Sequence, residues 1–493
     1  MSIEENTGTE IIQKAGDSVA IGVKEGESAQ HPPRVLGFLA LFAIAYFVVS
    51  GGPYGIENAV AGGPPVYILI LFIVLPFLWS YPLGMITAEL SNAIPQDGGC
   101  SVWAEKAFGQ YASMSVGLFS WFSNMIDLSL YPVLFVQYFG NCFLNTEYEN
   151  SNWGGDIEQC FYCRWLLAFI VILLIVACNL WGVEEVGVSS NILAIILLMP
   201  FVLMVAIGIW HVDLKFILKG DGGFKGIKNV SLGTIIVPVI WSFSGYDSLG
   251  QVAGEVKNAE KNYPRGIIAV MIVSIVTYLL PILVGMQYDT DWSSWQSGQF
   301  SDVALKVAGN WLNILMGIGG MASSLGLFNC CLCTVSRNLY SLGCRGYLPS
   351  IYSKLVPKRA TPWVAILTNA TIIGFLVVLP FNSIMVLDMS VYSIVVLFEI
   401  ASYIKLYLYN PEIHRPFRAV KSRWGLIFIA CPAIFAFIVI YSSGWDCQWK
   451  TLVVVAINAA VVASRYIYNN YKHKFTRSTK EETESLLNNN SIN

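Results

Sequence analysis

About a dozen apolar runs, each roughly 18–25 residues long, dominate this chain and are parted by turn residues. They lie at 35–61, 67–90, 111–139, 165–180, 188–209, 234–250, 267–284, 310–333, 362–379, 384–408, 425–441 and 451–467. A run of that length crosses a bilayer as one helix, and hydrocarbon leaves few other options, because every backbone N–H and C=O must be satisfied within the segment. The chain is therefore expected to be an all-α membrane protein with about 12 transmembrane helices. Charged residues make up 12% of it, against about 25% in soluble domains, and no stretch reads as a separate soluble domain. Residues 1–33 are polar, hold five glutamates and lack an apolar core, so they read as a disordered tail rather than a cleavable signal. The expected organisation is a tail at 1–33, a transmembrane unit at 34–469 and a second tail at 470–493.

The distribution of basic residues orients the spans. With the N-terminus inside, 22 of the 29 Lys and Arg fall in inside segments, as the positive-inside rule requires. Both termini are then cytoplasmic. Two loops run against the bias: 183–187, inside, is acidic, and 210–229, outside, is basic.

The first run contains Ser50-Gly51-Gly52-Pro53-Tyr54-Gly55-Ile56-Glu57. Three glycines and a proline break a helix there, and a carboxylate follows within four residues of the proline. Irregular backbone is tolerated at membrane depth only where it is buried in protein or lines a wet cavity. An intramembrane acid costs roughly 2.5–3.5 kcal/mol on insertion scales, which makes it a functional candidate. The sixth run has a matching interruption, Pro238-Val239-Ile240-Trp241-Ser242-Phe243-Ser244-Gly245-Tyr246-Asp247-Ser248. Breaks at corresponding places in two halves, here about 35–209 and 234–408 with extra helices at 425–467, point to a transport site between inverted repeats. Glu57 and Asp247 are the acids that this symmetry pairs. Gly51, Gly52, Tyr54, Trp241, Phe243 and Tyr246 flank them and join the candidate substrate-binding set.

Two more acids stand out within the spans. Asp127 has Tyr131 four residues on, and Glu399 has Tyr392 and Tyr403 seven residues before and four after it, so each acid shares a helical face with tyrosines. Carboxylates beside aromatic rings suit an organic cation through ion pairing and cation–π contact, although the same groups also serve packing or structural hydrogen bonds. No Lys, Arg or His lies within a span away from its ends, so a cationic substrate or a proton must supply the counter-charge. Asp127 and Glu399 are the candidates for proton coupling. Ser323 and Ser324 could instead bind sodium beside the first break, or simply let helices pack closely.

Several segments resemble the amino acid–polyamine–organocation (APC) transporters, and among them the plant and protist polyamine uptake transporters. The resemblance runs through Val49 to Glu57, Thr87-Ala88-Glu89-Leu90-Ser91-Asn92-Ala93-Ile94-Pro95 with Gly98-Gly99, Trp103, Ala107-Phe108-Gly109 and Asp127 with Leu130-Tyr131-Pro132-Val133-Leu134-Phe135. It continues through Tyr246-Asp247-Ser248, Ala253-Gly254-Glu255-Val256-Lys257-Asn258, Tyr392, Leu397-Phe398-Glu399 and Arg415-Pro416-Phe417-Arg418. It implies a LeuT-like 5+5 inverted repeat with discontinuous helices 1 and 6, and symport of putrescine-like or spermidine-like cations with protons by alternating access. By position it points to Glu57, Asp127, Asp247 and Glu399. One departure is that Ser244-Gly245-Tyr246-Asp247 stands where the subgroup carries Asn-Tyr-Trp-Asp, which removes an indole and leaves smaller side chains.

An amino acid permease is the alternative reading. Such a site holds a carboxylate on backbone N–H groups at a helix break. Pro53 removes one of those donors, and the nearby acids repel a carboxylate. A nutrient-sensing receptor that binds without transporting is a third reading, which a long structured tail would favour. No phosphate-binding loop, metalloprotease motif or nucleophile elbow occurs, so neither enzyme activity nor a cofactor is expected, and nothing points to nucleic acid. Cys142, Cys160 and Cys163 share one outside loop, where one disulfide with a spare thiol fits an oxidising compartment. By resemblance to a related light-chain family, a cysteine there could also join a partner subunit. Cys160-Phe161-Tyr162-Cys163 lacks the second half of a zinc site, and Asn229-Val230-Ser231 is a glycosylation sequon. Glu482-Thr483-Glu484-Ser485-Leu486-Leu487 resembles a clathrin-adaptor dileucine signal, so the plasma membrane and endosomal or vacuolar membranes are all expected destinations.

Overall fold

A computed structural model describes residues 37–95, 98–143, 157–181, 183–219, 232–356 and 361–490. Helices are the only regular elements among them. In chain order the main ones are α1 (Phe38–Val49), α2 (Glu57–Val60), α3 (Pro65–Leu78), α4 (Ser80–Ala93), α5 (Cys100–Phe108), α6 (Gln110–Phe143), α7 (Ile157–Trp181) and α8 (Val183–Gly208). The second half holds α9 (Leu232–Ser242), α10 (Ala259–Tyr288), α11 (Gln299–Ala308), α12 (Asn310–Cys344), α13 (Trp363–Leu376), α14 (Phe381–Tyr409), α15 (Gly425–Ile429), α16 (Cys431–Ser442) and α17 (Gly444–Asn490). Seven segments of the described residues are long and apolar enough to cross a membrane, and Ile195–His211 and Trp363–Leu376 are shorter apolar helices. The runs at 35–61 and 234–250 do not qualify because each is split, and α6 is long but rich in polar residues.

The splits arise from backbone chemistry. Helix α1 ends as the Ser50 N–H donates to the Tyr46 carbonyl. Gly51, Gly52 and Gly55 then take φ values of +55°, +91° and +87°, a region that costs other L-residues about 1–2 kcal/mol. Pro53 contributes no donor. Helix α9 stops at Ser242, Gly245 takes φ +97°, and a 3₁₀ helix runs over Tyr246–Glu255. The freed carbonyls find partners in other helices. Ser323 on α12 donates to the Gly51 carbonyl at 2.8 Å, and Ser80 on α4 to that of Phe243 at 2.7 Å. The Tyr278 hydroxyl on α10 stands 3.0 Å from the carbonyls of both Ser50 and Ser242. The two breaks are thus neighbours, with Gly245 backed against the Val48 carbonyl so closely that a Cβ would sit 3.0 Å from it.

At the centre α12 packs on α6 and α8, and α14 packs on α6. Small residues permit the close approach, since a Cβ at Gly320 would fall 2.5 Å from the Tyr138 ring. Helices α16 and α17 carry exposed apolar side chains such as Ile434, Phe437, Tyr441 and Leu452 on their outward faces, as a lipid-facing surface does.

The tail at 1–33 and the sequon at 229–231 lie outside the described residues, as do the side chains of Cys142, Cys160, Leu486 and Leu487. Cys163 is exposed with a free thiol.

Candidate functional site

Several acids lie deep in the bundle, on different elements. At the first break Glu57 is fully buried. One of its oxygens accepts from the Tyr138 hydroxyl of α6 and, at 3.1 Å, from the Gly298 N–H just before α11. The other oxygen has no partner among the described residues. Next to it, the Asn58 amide donates to Ser297 Oγ at 2.7 Å and to Asn382 Oδ1 at 2.9 Å. The Tyr54 ring meets Tyr138 edge-on with centroids 5.0 Å apart, and its hydroxyl donates to the Leu197 carbonyl at 3.2 Å. Glu57 and Tyr54 therefore join the first break to α6, α8 and the approach to α11.

Asp127 lies in the middle of α6. Its two oxygens accept from Tyr131 at 2.6 Å and from the Trp241 indole N–H at 2.9 Å. The indole belongs to α9, so Asp127 is tied to the helix that carries the second break. Trp241 also packs edge-on against Phe381 and borders Gly55.

Asp247 lies in the first turn of the 3₁₀ segment beyond that break and accepts from the Tyr392 hydroxyl of α14 at 2.6 Å. Glu399, also on α14, is within electrostatic range of Asp247. It accepts from Thr87 at 3.4 Å, lies alongside the Cys100 thiol, and keeps one oxygen without a partner among the described residues.

Glu57 and Asp247 have no partner in common: the first bonds to Tyr138 and Gly298 and the second to Tyr392. Phe243 and Tyr246 are fully buried. Phe243 packs against Phe72 and Tyr278, while Tyr246 lies near Gly84 on α4. Tyr403 shares a helical face with Glu399, but its hydroxyl donates to Glu89 at 2.7 Å. The Ser323 hydroxyl is spent on the Gly51 carbonyl, and Ser324 donates to the Gly320 carbonyl at 2.9 Å.

Two acids inside the apolar runs were not singled out as candidates in the sequence reading, although Glu89 falls within a segment that carries the resemblance. Glu89, at the end of α4, is fully buried. It pairs with the nearly buried Arg415 and also accepts from the Ala419 N–H at 2.8 Å. Arg415 lies beyond the last residue of its run, so no window of sequence placed it in the interior. The second is Asp388 on α14, which is 1% exposed and accepts from Ser123 of α6 at 2.7 Å. Its position inside the run at 384–408 was the available signal. Ion pairs among the described residues include Lys306–Asp289, Arg345–Glu105 and Arg415–Glu89, and Glu57, Asp127, Asp247, Asp388 and Glu399 have no ion-pair partner among them.

Buried unpaired acids beside paired helix breaks, inside a bundle with apolar outer helices, define a multi-pass membrane protein of the transporter class. The chain belongs to the amino acid permease family, whose profile matches residues 36–463. This is a family of membrane transporters within the APC superfamily, not of enzymes. The chain is 29% identical over 420 residues to a probable polyamine transporter of Arabidopsis thaliana, covering 85% of this chain and 84% of the relative. It is 30% identical over 415 residues to a polyamine transporter of Oryza sativa subsp. japonica, covering 83% and 75%. A glutamate/serine transporter of Bacillus subtilis is 25% identical over 460 residues, covering 86% and 77%.

Proposed function

We propose that this chain is a secondary active transporter of small organic cations, of the polyamine class, coupled to protons and working by alternating access. The observation that carries the reading is the Asp247–Glu399 pair at the second break. Two acids within electrostatic range of each other, buried and without a basic partner among the described residues, are stable only when positive charge arrives. An amine ligand or a proton supplies that charge. Tyr392 presents a ring and a hydroxyl at the same place, which suits an ammonium. The relatives named polyamine transporters support the same substrate class. In this reading twelve spans form a five-plus-five inverted repeat with α1–α2 and α9 as its broken helices, both tails face the cytoplasm, and the tail leucines Leu486 and Leu487 engage a sorting adaptor. Asp247, Glu399, Asp127, Tyr392 and Trp241 contact the ligand. Glu57 and Tyr54 hold the first break.

The deciding experiment is uptake of labelled putrescine, spermidine, arginine and leucine by purified protein in liposomes, with and without an inward proton gradient. Accumulation of the amines that needs the gradient is expected; accumulation of leucine alone would overturn the reading. A second reading, amino acid permease, draws on one observation. The N–H groups of Gly51 and Gly52 donate to no backbone carbonyl among the described residues, and free amides at a break can hold a carboxylate.

A further inference from the structure

Asp388, Tyr392 and Glu399 are spaced four and seven residues apart on α14, so they line one face of it. The eleven residues from Asp388 to Glu399 make three turns and roughly 16 Å of rise. The two ends of this face are built alike. At one, Glu399 has one oxygen engaged by Thr87, one oxygen without a partner among the described residues, and Asp247 within electrostatic range. At the other, Asp388 has one oxygen engaged by Ser123, one without a partner among the described residues, and Asp127 within electrostatic range. Tyr392 and Trp241 stand between them and bond to Asp247 and Asp127 respectively. Asp127, Trp241, Gly245 and Tyr392 each keep partial exposure.

We propose that Asp388 and Asp127 form the second pole of a two-ended ammonium site, whose first pole is Asp247 with Glu399, and that the ligand is a linear polyammonium long enough to reach both. This rests on the organic-cation reading above. The length follows from simple geometry. An extended chain gains ~1.2 Å per bond, so the nine bonds between the terminal nitrogens of spermidine span ~11 Å and the five of putrescine ~6 Å. A charge-assisted contact of about 2.8 Å at each end brings the triamine to the axial rise between Asp388 and Glu399 and leaves the diamine short of it.

The test is competition against labelled putrescine uptake in proteoliposomes of the full-length protein, using 1,3-diaminopropane, putrescine, cadaverine and spermidine, with butylamine and leucine alongside. In wild type, spermidine is expected to compete roughly tenfold or more better than putrescine, the size of one added charge-assisted contact. Asp388→Asn is expected to collapse that ratio, and Asp388→Glu to preserve most of it. A wild-type ratio near one, or a ratio unchanged in Asp388→Asn, would overturn the two-pole site while leaving the organic-cation reading standing. If the proteoliposomes take up no labelled putrescine beyond the protein-free background, that reading itself fails. Should Asp388→Asn not give monodisperse protein, Asp127→Asn removes charge from the same pole and is held to the same collapse.

Discussion

Single side chains in this protein divide into those whose charge is matched within the fold and those whose charge is not. Glu89 is matched by the Arg415 guanidinium, the Tyr403 hydroxyl and the Ala419 N–H. Removing one member of a buried pair strands the other, at about 3–5 kcal/mol. Glu89→Gln is therefore expected to lower the melting temperature of the detergent-solubilised protein, and the double change Glu89→Gln with Arg415→Met to recover much of the loss. A double variant no more stable than Glu89→Gln would count against the pair as the source. Asp247 is the opposite case, with Tyr392 as its neutral partner and Glu399 nearby. Asp247→Asn keeps the shape and removes the charge. It is expected to abolish amine uptake while elution on size exclusion stays monodisperse; normal uptake would remove Asp247 from the site. The difference between these acids was only half legible in the sequence. A carboxylate in an apolar run marks a buried charge, but its partner is fixed by which loop folds back onto it, and Arg415 sits outside every run.

The informative elements are the two breaks. Glycine and proline make both of them visible as sequence, because left-handed φ values and a missing N–H cannot be built into a continuous helix. Their neighbourhood is not visible. Tyr278 comes from the middle of an unbroken helix, yet its hydroxyl stands at the end of α1 and the end of α9 together. Tyr278→Phe keeps the ring packed on Phe72 and Phe243 and leaves the two carbonyls short of a donor. A loss of about 1–3 kcal/mol in stability is expected from the unsatisfied buried group, read as a lower melting temperature, with a larger drop in transport than Tyr288→Phe causes at its exposed 3.2 Å contact to His211. Equal effects from the two changes would mean that Tyr278 does not couple the breaks.

For the whole molecule the balance of charge sets the energetics of transport. Five acids within the bundle, Glu57, Asp127, Asp247, Asp388 and Glu399, have no ion-pair partner among the described residues, and holding them all ionised is costly. Accumulation of substrate is thus expected to cease when a protonophore collapses the proton gradient, and to be indifferent to replacing sodium with potassium on both faces of the membrane. Accumulation that follows sodium would move the coupling role to Ser323 and Ser324. The sequence by itself determined the all-helical membrane character, the places where helices cannot continue, and the excess of acids over bases inside the runs. Each of these follows from local composition acting against a solvent that satisfies no backbone group and solvates no charge. Tertiary structure alone decided which acid meets which partner. It set Glu57 with Tyr138 and the approach to α11, tied Asp127 to Trp241, gathered Asp247, Tyr392 and Glu399 around the second break, and gave Glu89 its arginine. Those pairings join residues from distant parts of the chain, and packing of small residues such as Gly320 sets how near their helices come. Neither the register of one helix on another nor the fold-back of a loop is encoded in any single run.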